Sequence, residues 1–138
     1  MIRKFEKAER KKLGRIIEII FNENVVEATL NESKTAKKLL KVLPVKSEIN
    51  ILGNEVYFEI PMEADLENGK ELMDIGNIAF WPPGNAFCIF FGPTPIGDGT
   101  KPRAVSPVTV IGRITSENGI DKIRKISPSD SIELRLKK

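Results

Sequence analysis

The chain has 138 residues, 41% of them hydrophobic and 30% charged, with a net charge of +3, one cysteine and no histidine. That length suits one domain that folds on its own core without a disulfide or metal, and the lone Cys88 excludes an internal disulfide. The lack of histidine removes the commonest general base and zinc sites built on Cys and His, and no carboxylate spacing suggests another metal or a cofactor. Residues 1–14 read as a basic N-terminal extension, helical or frayed, ahead of a domain over 15–138. Through Arg15 this end holds seven Lys/Arg against two Glu, whereas residues 16–120 hold nine against fourteen. A mildly acidic body with basic ends does not predict a nucleic-acid binder. No apolar run approaches the ~20 residues of a membrane span and no secretory core is present, so a cytoplasmic protein without membrane contact is expected.

Arg15 to Phe21 is dense in β-branched residues and predicts a strand; Asn22-Glu23-Asn24 reads as a turn and Val25 to Leu30 as the returning strand. Asn31 to Thr35 is a helix start signal. Ala36, Leu39, Leu40 and Leu43 then recur at helical spacing on one face, and Pro44 stops the helix. Ser47 to Leu52, a Gly53-Asn54 turn and Glu55 to Ile60 predict a second hairpin. In its later strand Val56, Phe58 and Ile60 face one way, and Glu55, Tyr57 and Glu59 the other. Ala64 to Met73 reads as a loop with a short strand.

Ile78 to Trp81 and Ala86 to Phe91 are strand-like runs flanking a Pro82-Pro83-Gly84-Asn85 break, and a rigid Gly92-Pro93-Thr94-Pro95 segment follows. Phe80, Trp81, Phe87, Phe90 and Phe91 crowd into this stretch. Ile96 to Ser106 reads as a long Gly/Pro-rich loop holding Asp98, Lys101 and Arg103. Val108 to Ile114, Asp121 to Ile126 and Ser131 to Leu136 are the remaining expected strands. Frequent strands with one clear helix predict a mainly β domain, either barrel or sandwich.

Thr35-Ala36 with Leu39-Leu40, Leu43-Pro44, Tyr57-Phe58 with Ile60-Pro61, the Gly76 to Pro82 run, Gly84-Asn85-Ala86, the Cys88 to Pro95 run, and Ser106-Pro107 with Val110-Ile111-Gly112 resemble the small cyclophilin-like proteins of bacteria and archaea, typified by an atypical cyclophilin fold from Thermotoga. The match runs in order from residue 15 to about 114. The resemblance implies a closed eight-stranded cyclophilin-like β-barrel capped by one or two short α-helices. True cyclophilins isomerise X-Pro bonds with an arginine that weakens amide resonance. Aligned on Pro61, Phe58 stands in that arginine's place, and the family's glutamine-bearing and histidine-bearing runs have no counterpart here.

The resulting expectation is a binding module for a peptide or small molecule, with no catalytic residue assigned. Tyr57, Phe58, Glu59, Trp81, Asn85, Phe91, Thr94 and Arg103 are the candidate ligand-binding residues. Each has a plainer alternative: Trp81 as a buried barrel residue, Glu59 as a solvated carboxylate, Asn85 as a turn residue, Thr94 as a loop fixture, Arg103 as a surface cation. Cys88 reads as packing. The competing reading is a weak or divergent prolyl isomerase with Arg103 as donor, or an accessory subunit of an amide-hydrolysing enzyme. Exposed aromatics would equally suit a homodimer contact.

Overall fold

The β-branched run Ile16–Phe21 forms β1 and returns through Asn22 and Glu23, both at positive φ (44° and 67°), into β2, Asn24–Leu30. A two-residue turn of this hand matches the twist of the flanking strands. Alternation sends Ile17, Ile19, Phe21, Val26, Ala28 and Leu30 into the core. The computed structural model describes residues 15–138; the expected basic extension 1–14 lies outside the described residues.

Helix α1, Lys34–Val42, begins at Ser33, whose hydroxyl accepts the Ala36 N–H at 3.0 Å. Its other early donors are met from a distance. Glu67 accepts the Lys34 and Thr35 N–H groups, each at 3.1 Å, and the Thr35 hydroxyl at 2.9 Å. These bonds, led by the Thr35 hydroxyl, hold the Glu67 carboxyl below the usual range. The helix ends at the cis Leu43–Pro44 bond and lays Ala36 and Leu39 on the core.

The remaining strands are β3 (Val45–Glu48), β4 (Asn50–Leu52), β5 (Glu55–Glu59), β6 (Lys70–Leu72), β7 (Asn77–Trp81), β8 (Ala86–Phe90), β9 (Arg103–Ile114) and β10 (Ser131–Leu136), with α2 at Gly119–Ile123. The antiparallel ladder runs β3-β10-β1-β2-β9-β7-β8-β5-β4, with β6 attached to β9. Gly112 permits the β2–β9 crossing, since a Cβ there would collide with Thr29 O. Among the described residues no helix is long and apolar enough to cross a membrane.

Three expectations are corrected. Among the described residues the barrel is not closed by hydrogen bonds, and the strands number ten rather than eight. The two edges of the ladder, β3 and β4, are consecutive pieces of one backbone run. That run pairs with β10 up to Glu48 and with β5 from Asn50, so the partner changes at Ile49 and no ladder joins the edges. Residues 121–126 are helix α2 and a following turn rather than a strand: Ile120, Ile123 and Ile126 repeat every third residue, and the latter two reach the main core. Finally, the loop ends earlier than expected, because β9 begins at Arg103. The first half of β9 leaves the main sheet to pair with β6.

That departure divides the apolar residues. The main core holds Phe58, Phe80, Phe87, Ile89 and Phe91 with the inward residues of β1, β2 and β10. A second cluster, Met73, Ala79, Ala86, Cys88, Phe90, Ala104 and Val108, lies on the other face of β5, β8 and β7, beneath the displaced half of β9. Such a face could not be left bare; the β9 flap shields it from water.

Candidate ligand cavity

Between the second face of the sheet and the β9 flap is a cavity of about 190 Å³ lined by Leu52, Glu55, Tyr57, Trp81, Cys88, Ala104, Val105 and Val108. Strand alternation places Glu55 and Tyr57 there together, opposite Val56 and Phe58. Tyr57 pairs with Cys88 across the β5–β8 ladder, and Glu55 is therefore the diagonal neighbour of Cys88.

Trp81 closes one side. Its Nε1–H donates to Ser106 Oγ at 2.7 Å, tying β7 to the flap. The Pro82–Gly84 turn that follows is short and 3-10, and Asn85 ends it in the left-handed region at φ 48°. Gly84 lies against the indole, where a Cβ would approach Trp81 Cζ3 to 2.7 Å. The Pro-Pro-Gly-Asn break thus sets the ring's position as well as the turn.

Glu55 is only 7% exposed. Burial pushes its carboxyl up to about 7, and a hydrogen bond from the Cys88 thiol offsets that only in part. Burial, with the neighbouring Glu55 charge, raises the Cys88 thiol well above its ordinary value. The thiol's other acceptor is Ala86 O at 3.8 Å; a carboxylate is the stronger one. A neutral, buried thiol is a poor nucleophile. The cavity therefore offers an apolar floor, two aromatic rings and one acid that titrates near neutrality.

The structure brings Tyr57 and Trp81 of the expected residues into this lining. Phe58 is fully buried in the main core, its ring stacked on Phe87 at 5.3 Å. Phe91 lies in that core too, while its neighbour Phe90 points to the second cluster. Glu59 is exposed at the end of β5, opposite Ala86. Asn85 is a turn residue whose carbonyl accepts the Ile60 N–H at 2.9 Å.

Thr94 clasps the base of the loop: Oγ1 accepts the Arg103 N–H at 2.8 Å and lies 2.7 Å from Arg103 O and 2.9 Å from Ile96 O. Arg103 reaches Glu71 at 3.7 Å, on the outside of the flap. Both residues hold the flap whose next members, Ala104 and Val105, line the cavity. Glu55 and Cys88 were not among the expected site residues. The signal for Glu55 was its shared face with Tyr57; what hid it was that burial of that face depends on β9, far away in sequence.

A larger open cleft of about 670 Å³ lies elsewhere, between the end of α1 and strands β1 and β10, lined by Leu40, Leu43, Pro44, Glu18, Arg135 and others. None of the expected residues lines it.

A family model described as Cyclophilin-like matches residues 15–135. Among solved structures, a hypothetical protein from Archaeoglobus fulgidus, determined in solution, is similar at 32% identity with a TM-score of 0.74, covering 92% of this chain and 97% of that one. No curated protein matches the sequence.

Proposed function

The chain belongs to the cyclophilin-like family, and from that premise we propose that it is a binding module whose apolar cavity holds a small molecule or a peptide side chain without chemistry. The observation that carries this reading is the lining: among the described residues it consists of eight side chains that include two aromatic rings and one acid, and no arginine, lysine or histidine. Lowering the barrier to X-Pro rotation calls for a donor that weakens amide resonance. Phe58, which the resemblance equates with the family's arginine, faces the main core instead. Concave apolar surface with few polar groups is the general character of ligand sites.

Two measurements on the purified chain test the reading. Titration with a small apolar probe, n-butanol, is expected to change the emission of Trp81, the chain's single tryptophan. A protease-coupled prolyl assay is expected to stay at background. Acceleration that Arg103→Ala abolishes would overturn the reading in favour of an isomerase with a rebuilt donor. No response of Trp81 to the probe would remove the cavity as a site.

A further inference from the structure

We propose that Glu55 makes the cavity a receptor for a small organic cation, a primary ammonium carried on a short apolar chain. This rests on the reading of the cavity as a ligand site and adds the chemistry of what it takes.

Four polar or charged side chains are buried among the described residues: Thr35, Glu55, Thr94 and Thr109. The three threonines are satisfied within the protein. Thr35 donates to Glu67, Thr94 bonds Arg103 and Ile96, and Thr109 accepts the Glu67 N–H at 2.9 Å. Glu55 alone carries charge, and its one bonding neighbour is the Cys88 thiol, a weak donor. The ion pairs among the described residues use Asp74, Glu71, Asp121, Glu18 and Glu27, and none uses Glu55.

A carboxylate taken from water without a counterion is costly, and a core of this kind is ordinarily built without one. Here the uncompensated acid opens into a space whose other walls are apolar. An ammonium supplies the missing donors and charge together. Trp81 and Tyr57 also line the space, and aromatic rings attract a cation placed over them. Size limits the ligand. At roughly 30 Å³ per water, the space equals about six waters, so the ligand has about that many non-hydrogen atoms.

The test uses n-butylamine and its neutral counterpart n-butanol on the full chain, read by Trp81 emission and by the carbon-13 shift of the Glu55 carboxyl, at about pH 8. Butylammonium is expected to bind at least about tenfold more tightly than butanol, the scale of one charge-assisted hydrogen bond, and to move the Glu55 signal. Glu55→Gln is expected to abolish that preference, and the variant's circular dichroism and thermal transition verify that it is folded. Equal binding of the two probes, or a preference that survives Glu55→Gln, overturns the cation assignment and leaves the cavity standing. Binding of neither probe overturns the cavity reading, and this inference with it.

Discussion

Glu55 and Cys88 lie on one face of the sheet as diagonal neighbours, Glu55 opposite Phe90 and Cys88 opposite Tyr57. The acid and the thiol share an apolar space: the Glu55 charge disfavours ionisation of Cys88, while the thiol's hydrogen bond favours the Glu55 carboxylate and offsets part of its burial. The thiol is neutral, and the β9 flap covers it. Iodoacetamide is therefore expected to alkylate Cys88 at least about a hundredfold more slowly in the native protein than in urea, since reaction needs both opening and a thiolate. Comparable native and unfolded rates would contradict this placement.

The Glu55 carboxyl has an ordinary value of 4.5 and a native value of about 7. Between those limits the native state keeps a proton that the unfolded chain has released. Stability from this group therefore falls as pH rises from about 4.5, and the full cost is present above about 7. At 1.36 kcal/mol per pH unit the cost is on the order of 3 kcal/mol. Glu55→Gln lacks it. Urea unfolding of the two proteins is expected to differ little near pH 4.5. By about pH 8 the variant should be more stable by up to about 3 kcal/mol. A variant with the same pH slope as the parent would show that the acid is solvated.

The proposed capture of an ammonium is expected to follow the same titration. Tyr57 from β5 and Cys88 from β8 are the titratable groups facing Glu55; β7 and β9 present Trp81, Ala104, Val105 and Val108. If the cavity takes an ammonium, only the ionised Glu55 is competent. Apparent affinity for n-butylamine is then expected to rise about tenfold between pH 6 and pH 8, following the competent fraction, while butanol binding stays level. A flat profile for the amine would indicate an anchor other than Glu55.

Phe58 and Tyr57 are adjacent, yet their environments are opposite. Phe58 packs on Phe87 among apolar side chains, and Tyr57 lines the cavity. Phe58→Arg would bury a guanidinium in the main hydrophobic core. The expected loss is about 5 kcal/mol or more, comparable with a domain's whole stability. Tyr57→Arg places the same group beside Glu55 and is expected to cost no more than about 2 kcal/mol. Thermal unfolding by circular dichroism distinguishes them. A stable, cooperative Phe58→Arg protein would mean that Phe58 is not a core residue.

Local periodicity made most of the fold legible. The Ile-rich β1, the turn at Asn22-Glu23 and the Ala36/Leu39 stripe each carry their own signal, and the resemblance supplied the order of the whole. Two features depended on partners distant in sequence. Ile49 reads as mid-strand, but β10 and β5 each take one half of that run. Arg103 to Ser106 reads as the end of the Gly/Pro-rich loop that starts at Ile96, whereas β6 gives the segment a ladder. The run after Gly119 carried a local signal instead, since Ile120, Ile123 and Ile126 at every third residue fit a helix rather than the alternation of a strand. Trp81 and Tyr57 were among the expected ligand-binding residues, and both line the cavity. Glu55 was not among them, because its burial is supplied by the flap.

The cavity wall formed by Trp81 depends on Gly84. The indole Nε1–H is held at 2.7 Å by Ser106, and the ring edge leaves no room for a Cβ at Gly84, which would meet Cζ3 at 2.7 Å and Cε3 at 2.8 Å. Gly84 does not occupy the positive-φ region, so alanine strains the contact rather than the backbone. Gly84→Ala must swing the ring away and lengthen or break the bond to Ser106. The expected cost is about 1–3 kcal/mol, from overpacking and one lost hydrogen bond, with a red shift of tryptophan emission as the ring meets water. Trp81→Phe keeps an aromatic ring without the N–H and is expected to cost about 1 kcal/mol more than burial area alone explains. Both variants should weaken n-butylamine binding, because each alters the wall opposite Glu55 while leaving the acid in place. Unchanged emission and unchanged affinity in Gly84→Ala would mean that the ring does not rest on Gly84, and the cavity would then lack its aromatic wall.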